Sequence, residues 1–237
     1  MMRLDKFIVH QAGLSRSEAA KLTASGKILV NGKKCSASSR IDETNDIVTI
    51  DGKTVVYRKF VYIMLNKPAG VICATRDELS QTVIDLIPGE LMRKGLFPAG
   101  RLDKDTRGFV LITDDGALAH DILSPRRHVE KEYEVTLERP AEEGYEQILA
   151  DGITINGQSG EPPEKCLPAK IYFTDDPYTV RLVICEGKYH QIKRMAKALG
   201  NRVVGLKRIR IGNIRLDPSL PEGMCREISH KEISDIR

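Results

Sequence analysis

Gly100-Arg101-Leu102-Asp103-Lys104-Asp105-Thr106-Arg107-Gly108 runs straight into Phe109-Val110-Leu111-Ile112-Thr113. Six of the first nine residues are charged or hydroxylated, two glycines flank them, and an apolar run follows without a break. That run predicts a buried strand, closed by Asp114-Asp115-Gly116 and followed by a helix over Ala117–Leu123. A polar loop held by a rigid strand is a favoured place for catalytic groups. The same composition also suits a charged surface turn closed by internal Arg–Asp pairs. Asp103 and Asp105 stand two apart, so an extended backbone would put both carboxylates on one face. They could then work as acid and base, or one could hold Arg101.

Outward from this loop, strand and helix signals alternate. Val61–Leu65 is an apolar strand ending in Asn66-Lys67-Pro68-Ala69-Gly70, where Pro and Gly force a turn. Tyr133, Val135 and Leu137 alternate with Glu132, Glu134 and Glu138, the pattern of a half-buried strand, and Thr179–Cys185 repeats it. A helix is predicted from about His190 to Leu199, and Val203–Leu216 reads as two strands turning at Gly212-Asn213. This mixture predicts an α+β domain over residues 60–237 around a largely antiparallel sheet.

Residues 1–59 read as a separate module. Leu4, Phe7, Ile8 and Gln11/Ala12 follow helical spacing, with Gly13 placed to end that helix. Ser15-Arg16-Ser17-Glu18 is a capping box for a second helix that stops near Gly26. Asn31-Gly32 and Asp51-Gly52 then signal two hairpins, and Val55–Phe60 reads as the linker.

Of the 237 residues, 41% are hydrophobic and 30% charged, ordinary for a chain that buries a real core. No stretch reaches the roughly 18 uncharged apolar residues that span a bilayer. The N-terminus lacks a secretory signal, and the five scattered cysteines form no CxxC pair, which together predict a reducing cytoplasm with neither disulfides nor a zinc site. The net charge of +4 is unevenly spread. Residues 1–59 carry 11 Lys/Arg against 6 Asp/Glu; residues 130–180 carry 4 against 12, and residues 181–215 carry 10 against 1. Two basic blocks around an acidic one suggest a polyanion groove or, more blandly, solvated helix faces. Phosphate-loop, dinucleotide-binding, deaminase and nucleophile-elbow motifs are all missing, so cofactor and metal chemistry lose their usual signatures.

Two further clusters carry chemistry. In Glu186-Gly187-Lys188-Tyr189-His190-Gln191-Ile192-Lys193-Arg194-Met195 the basic residues ride the start of the predicted helix, where free amides and the helix dipole favour anions. Lys131-Glu132-Tyr133 puts Lys131 and Tyr133 on one strand face; Tyr133 could equally be a core aromatic with its hydroxyl paired.

Leu65-Asn66-Lys67-Pro68 with Gly70, then Gly100–Thr106, Lys131-Glu132-Tyr133 and Gly187–Met195 occur in the order found in RNA pseudouridine synthases, which this chain resembles along its whole length. Arg3-Leu4-Asp5-Lys6-Phe7 and Ser15–Ala19 resemble the S4 RNA-binding module that precedes the catalytic domain in one branch. Ser124-Pro125-Arg126-Arg127-His128 is similar to the branch that modifies 16S rRNA; relatives acting on 23S rRNA share the other motifs.

The resemblance implies an S4-like domain over 1–59 and a synthase domain over 60–237, with a largely antiparallel mixed sheet and flanking helices. It implies a uridine isomerase that needs no cofactor or metal, or else a non-catalytic assembly protein that has kept the fold. Asp103 matches the catalytic aspartate, with attack at C1′, attack at C6 and removal of a 2′ proton all open to it. Lys193 matches the basic residue that keeps it charged, and Tyr133 the active-site tyrosine that stacks on the base. Arg101 would hold the RNA backbone after base flipping. Arg3, Lys6 and Arg16 in the first module, with Lys188 and Arg194 in the second, are the candidate phosphate contacts. The implied partner is rRNA, within a pre-ribosomal particle, met by a monomer.

Overall fold

The computed structural model describes residues 1–157, 161–234 and 236, in two compact units. The first comprises Met1–Val61 together with Pro88–Leu96, and the second Tyr62–Ile87 and Phe97–Arg237. Among the described residues no helix is long and apolar enough to cross a membrane.

In the first unit, helix α1 (Leu4–Ala12) buries Leu4, Phe7 and Ile8 and ends on Gly13 at φ 67°, a left-handed conformation that glycine adopts without steric cost. Helix α2 (Arg16–Ala24) begins with the complete capping box: the Ser15 hydroxyl accepts from the Glu18 amide and the Glu18 carboxylate accepts from the Ser15 amide. A four-stranded sheet follows in the order Lys33–Lys34, Ile28–Val30, Val48–Ile50, Lys53–Val55, so both X-Gly dipeptides sit in hairpins. The segment read as a linker is instead anchored. Val55 belongs to a strand, Tyr57 stacks on Phe7 at 6.2 Å, and Arg58 exchanges two hydrogen bonds of 3.0 Å with the Gln11 side chain. Arg93, from the Pro88–Leu96 segment, is buried and donates to the Arg58 and Lys59 carbonyls and bonds His10.

The second unit is built on a nine-stranded sheet. Its main path runs Lys170–Phe173, Thr179–Ile184, Lys131–Leu137, Val203–Ile211, Arg107–Thr113, Tyr62–Lys67, Cys225–Glu227. Phe97–Pro98 and Ile214–Arg215 pair off this path. Every pairing is antiparallel except that of Val203–Ile211 with Arg107–Thr113, which brings the end of the 100–106 loop beside a strand from a hundred residues later. The continuous apolar runs of Tyr62–Lys67 and Arg107–Thr113 are buried throughout apart from Arg107, as expected of strands covered on both faces. Helix α3 (Gly116–Leu123) is capped by Asp115, whose carboxylate accepts from the Ala117 and Leu118 amides. Helices α4 (Tyr145–Ala150) and α5 (Gln191–Ala198) cover the face formed by Val135, Leu137, Val180 and Leu182.

Two sequence expectations give way here. The half-buried alternation fails at Glu132, which is buried because a bulge in the neighbouring strand sets Arg210 opposite it, with Nε 2.6 Å from the carboxylate. The two blocks of opposite charge neutralise each other in part: Lys188 and Arg194 pair with Glu164, Arg202 with Glu138, Arg210 with Glu130 and Glu132, and Arg215 with Glu132. Five of the ten cations of the 181–215 run are thus engaged by the acidic block and Lys193 by Asp103 and Asp105, so the run lines a groove only in part, through residues such as Lys188 and Lys193.

Gly108 closes the catalytic-looking loop at φ +97°, and a Cβ there would stand 2.3 Å from the Arg208 carbonyl oxygen. Gly108→Ala is expected to cost about 3 kcal/mol from backbone strain and overpacking together. Urea unfolding would read this as a lowered midpoint at unchanged slope.

Candidate active site

The 100–106 loop is fixed from beneath. Lys67, fully buried at the end of its strand, donates to the carbonyls of Pro68 at 3.0 Å, Lys104 at 3.2 Å and Thr106 at 2.7 Å. The Gly70 amide also reaches the Lys104 carbonyl at 2.7 Å, and the Leu102 amide donates to Cys73 Sγ at 3.3 Å. The Thr106 amide closes a turn on the Asp103 carbonyl at 3.1 Å. The backbone at 103–106 is thus turned rather than extended, yet both aspartates reach one cation.

That cation is Lys193. Its ammonium lies 3.0 Å from Asp103 Oδ2 and 2.7 and 3.0 Å from the two oxygens of Asp105. Helix α5 delivers it. Gln191, buried at the first turn, accepts from the Lys188 amide and donates to Glu186, which also accepts from the Leu167 amide. His190 caps this helix at φ 46° and brings Nε2 to 3.5 Å from Asp103 Oδ1. Burial alone would lower the Lys193 ammonium, but its bonds to Asp105 and Asp103 outweigh this and hold it above the usual lysine range. The same bond holds Asp105 below the usual carboxylate range.

Asp103, Lys193, His190, Tyr133 and Arg101 line one cavity, with Leu206 on its wall. Arg101 is exposed, and among the described residues neither aspartate pairs with it, so the loop is no self-neutralised surface turn. Tyr133 is buried on the strand Lys131–Leu137, opposite Leu182 and Arg208, and its hydroxyl has no hydrogen-bond partner among the described residues. The tyrosine hydroxyl is therefore available to a ligand in the cavity rather than tied into the core.

The other predicted site residues are placed differently. Arg194 donates to the carbonyls of Asn156 and Tyr189 and to Glu164, and Lys188 is held by Glu164 at 2.8 Å, so both are engaged within the protein. In the first unit Arg3 pairs with Asp5 at 2.7 Å, whereas Lys6 and Arg16 are exposed with no ion pair among the described residues. The residue types had drawn no attention to Lys67 as a clamp or to Arg208, buried with Nε on the Phe109 carbonyl at 2.7 Å and Nη2 unpartnered. Lys67 closes an apolar strand, but Arg208 stands among Lys207 and Arg210 on its own strand, so no local signal set it apart.

Lys131, two residues from Tyr133, is buried, and its ammonium has no hydrogen bond or ion pair among the described residues. Burial first, and then the Arg208 charge, push its ammonium down to about 8. The unfolded chain binds a proton more tightly, so the penalty acts in full below pH 8 and fades towards the ordinary lysine value of about 10.4. Lys131→Met is therefore expected to be more stable than the parent at pH 7, by about 3 kcal/mol at most, with the gap closing by about pH 10.5. Urea midpoints at the two pH values would check this.

Among the described residues no group of three or more His, Cys, Asp or Glu is placed to hold a metal ion. A carboxylate, a lysine and a tyrosine around one cavity form a site for acid–base or covalent chemistry on an organic ring.

A sequence profile of RNA pseudouridylate synthases matches residues 61–198, and one of the S4 domain matches residues 2–48. The chain belongs to the RNA pseudouridylate synthase family, and it is an isomerase that rearranges uridine in RNA. It is 45% identical over 234 residues to an uncharacterized RNA pseudouridine synthase, YtzG, of Bacillus subtilis (strain 168), covering 98% of this chain and 97% of that one. It is 44% identical to the ribosomal small subunit pseudouridine synthase A of Haemophilus influenzae, covering 99% of each. Among solved structures, a pseudouridylate synthase crystal structure aligns over all of both chains with a TM-score of 0.69 and 42% identity.

Proposed function

We propose that this synthase converts one uridine of 16S rRNA to pseudouridine, with Asp103 as its catalytic carboxylate. The observation that carries the chemistry is the 3.0 Å contact between Asp103 and Lys193 in the cavity that Tyr133 lines. The C1′–N1 bond breaks, the base turns, and C5 joins C1′; the C5 proton leaves and N1 gains one. No atom is lost overall and no electron changes owner. The Lys193 ammonium keeps the carboxylate charged and aimed at the ribose or pyrimidine ring, and the Tyr133 ring supports the flipped base. Arg101, exposed at the rim, suits the displaced backbone.

The choice of 16S rRNA is supported by full-length relatives of 40–44% identity that bear a small-subunit name. Asp103, Tyr133 and Lys193 all come from one chain, which suits a monomer, and the setting is a pre-ribosomal particle in the cytoplasm. Residues 1–59 act as the RNA-binding domain and residues 60–237 as the catalytic one. Pseudouridine mapping of rRNA from cells with and without the gene tests the reading. Loss of one 16S site, restored by the wild type but not by Asp103→Asn, is expected; loss of a 23S site instead overturns the choice of RNA.

Six of the ten cations in the basic run of the second unit are paired, so much of the phosphate affinity falls to the first, with Lys6 and Arg16 among its exposed cations that carry no ion pair among the described residues. Lys6→Glu with Arg16→Glu is expected to weaken rRNA binding and flatten the log K against log salt slope by about 1.5–2. An unchanged slope in filter binding would remove both from the interface. Deleting residues 1–59 is a poorer test, since it strips Arg93 of the carbonyls it donates to.

A further inference from the structure

Beside the catalytic cavity lies a second depression, lined by Asn156, Tyr189, His190, Arg194 and Lys197, with His190 lining both. The Tyr189 ring stacks on the His190 imidazole with centroids 3.8 Å apart and planes 17° from parallel. It nevertheless remains 53% exposed, so one face is covered and the other is open. An isolated exposed aromatic needs no explanation, but this one is held in place. His190 adopts φ 46°, a conformation that non-glycine residues rarely take outside sites that require it. Arg194 fixes the Tyr189 backbone by donating from Nη1 to its carbonyl at 3.0 Å, while Nε is held by the Asn156 carbonyl at 2.9 Å.

We propose that the open face of Tyr189 stacks a nucleobase adjacent to the target uridine, so that the enzyme holds two consecutive nucleotides, one beside Asp103 and one on Tyr189. This rests on the isomerase reading above. A rigid aromatic face accepts any base, because every base has a π-face. Arg194 is consumed by Glu164, which leaves Lys197, exposed and with no ion pair among the described residues, as the charge suited to the neighbouring phosphate. The consequence is a substrate preference: a target uridine with an unpaired neighbour, as in a loop or bulge, is favoured, because a paired neighbour must first be unstacked to reach the ring.

The test uses the full chain and an RNA hairpin presenting a single loop uridine, with 2-aminopurine as its 5′ or its 3′ neighbour. Binding is expected to quench the fluorescence at one of these positions for the wild type and for Tyr189→Phe, but not for Tyr189→Leu. Tyr189→Leu is also expected to raise KM about tenfold, with a much smaller change in kcat, and Tyr189→Phe to restore it. Equal quenching by Tyr189→Leu, or no quenching by the wild type at either position, overturns the stack. Turnover of a 16S rRNA transcript is followed in the same preparations. Turnover that is indifferent to Tyr189 overturns the stack and leaves the isomerase reading intact. Quenching by a wild type that isomerises no 16S uridine supports the stack and overturns the choice of substrate.

Discussion

Asp103→Asn is expected to lower turnover by about 10⁴-fold or more, the scale of removing a group that bonds to the reacting centre, while rRNA affinity changes by no more than about twofold. The amide fills the same space, so Lys67 still clamps the Lys104 and Thr106 carbonyls and the loop keeps its shape. What disappears is the negative charge facing the Lys193 ammonium at 3.0 Å. Single-turnover assays on 16S rRNA separate the two effects, and retained turnover would remove Asp103 from its assigned role. Asp105→Asn is the informative companion. Its carboxylate also bonds Lys193, but it does not line the cavity with Tyr133 and His190. Its loss should therefore be far milder.

Lys193→Met is expected to lower kcat by about 10²- to 10³-fold, the scale of losing a preorganised charge next to the reacting groups. Without the ammonium, two carboxylates are left facing each other without a cation. Lys193→Arg should recover part of the rate, since guanidinium keeps the charge while its planar fork meets the oxygens at different angles. Stability carries a second signature. The ammonium holds Asp105 below the usual carboxylate range, so its contribution is present above the unfolded value of about 3.9 and is lost as pH falls through the folded one. Lys193→Met abolishes that contribution, and acid unfolding should begin at a higher pH than in the parent. Acid titration followed by circular dichroism reads the difference.

Local chemistry made much of the fold legible. The capping box at Ser15–Glu18 and the Asn31-Gly32 and Asp51-Gly52 turns each satisfy their backbone within a few residues, and each sits where the residues predict. The strand Arg107–Thr113 was readable because both its faces are buried. The site was not legible by the same means. Asp103 and Lys193 are 90 positions apart, and no local pattern encodes the strand order that joins them. Only the resemblance singled out those two and Tyr133 together. Charge blocks misled for a related reason, since a count of arginines cannot tell a cation aimed at RNA from one answering Glu164 or Glu132 across the fold.

The Pro88–Leu96 segment gives the chain a peculiar inheritance. It belongs with Met1–Val61, although it is encoded inside the stretch that forms the other unit. A single crossover near codon 60 would therefore pass on an incomplete piece, leaving Arg93 to face carbonyls and an imidazole that a foreign front half need not supply. Recombination can shuffle such a module freely only if it exchanges two stretches of the gene at once. Lineages carrying this arrangement should thus trade their N-terminal modules less often than the linear order of the sequence suggests. Chimaeras joined at residue 61 with and without a matched 88–96 segment would show how strongly that constraint acts.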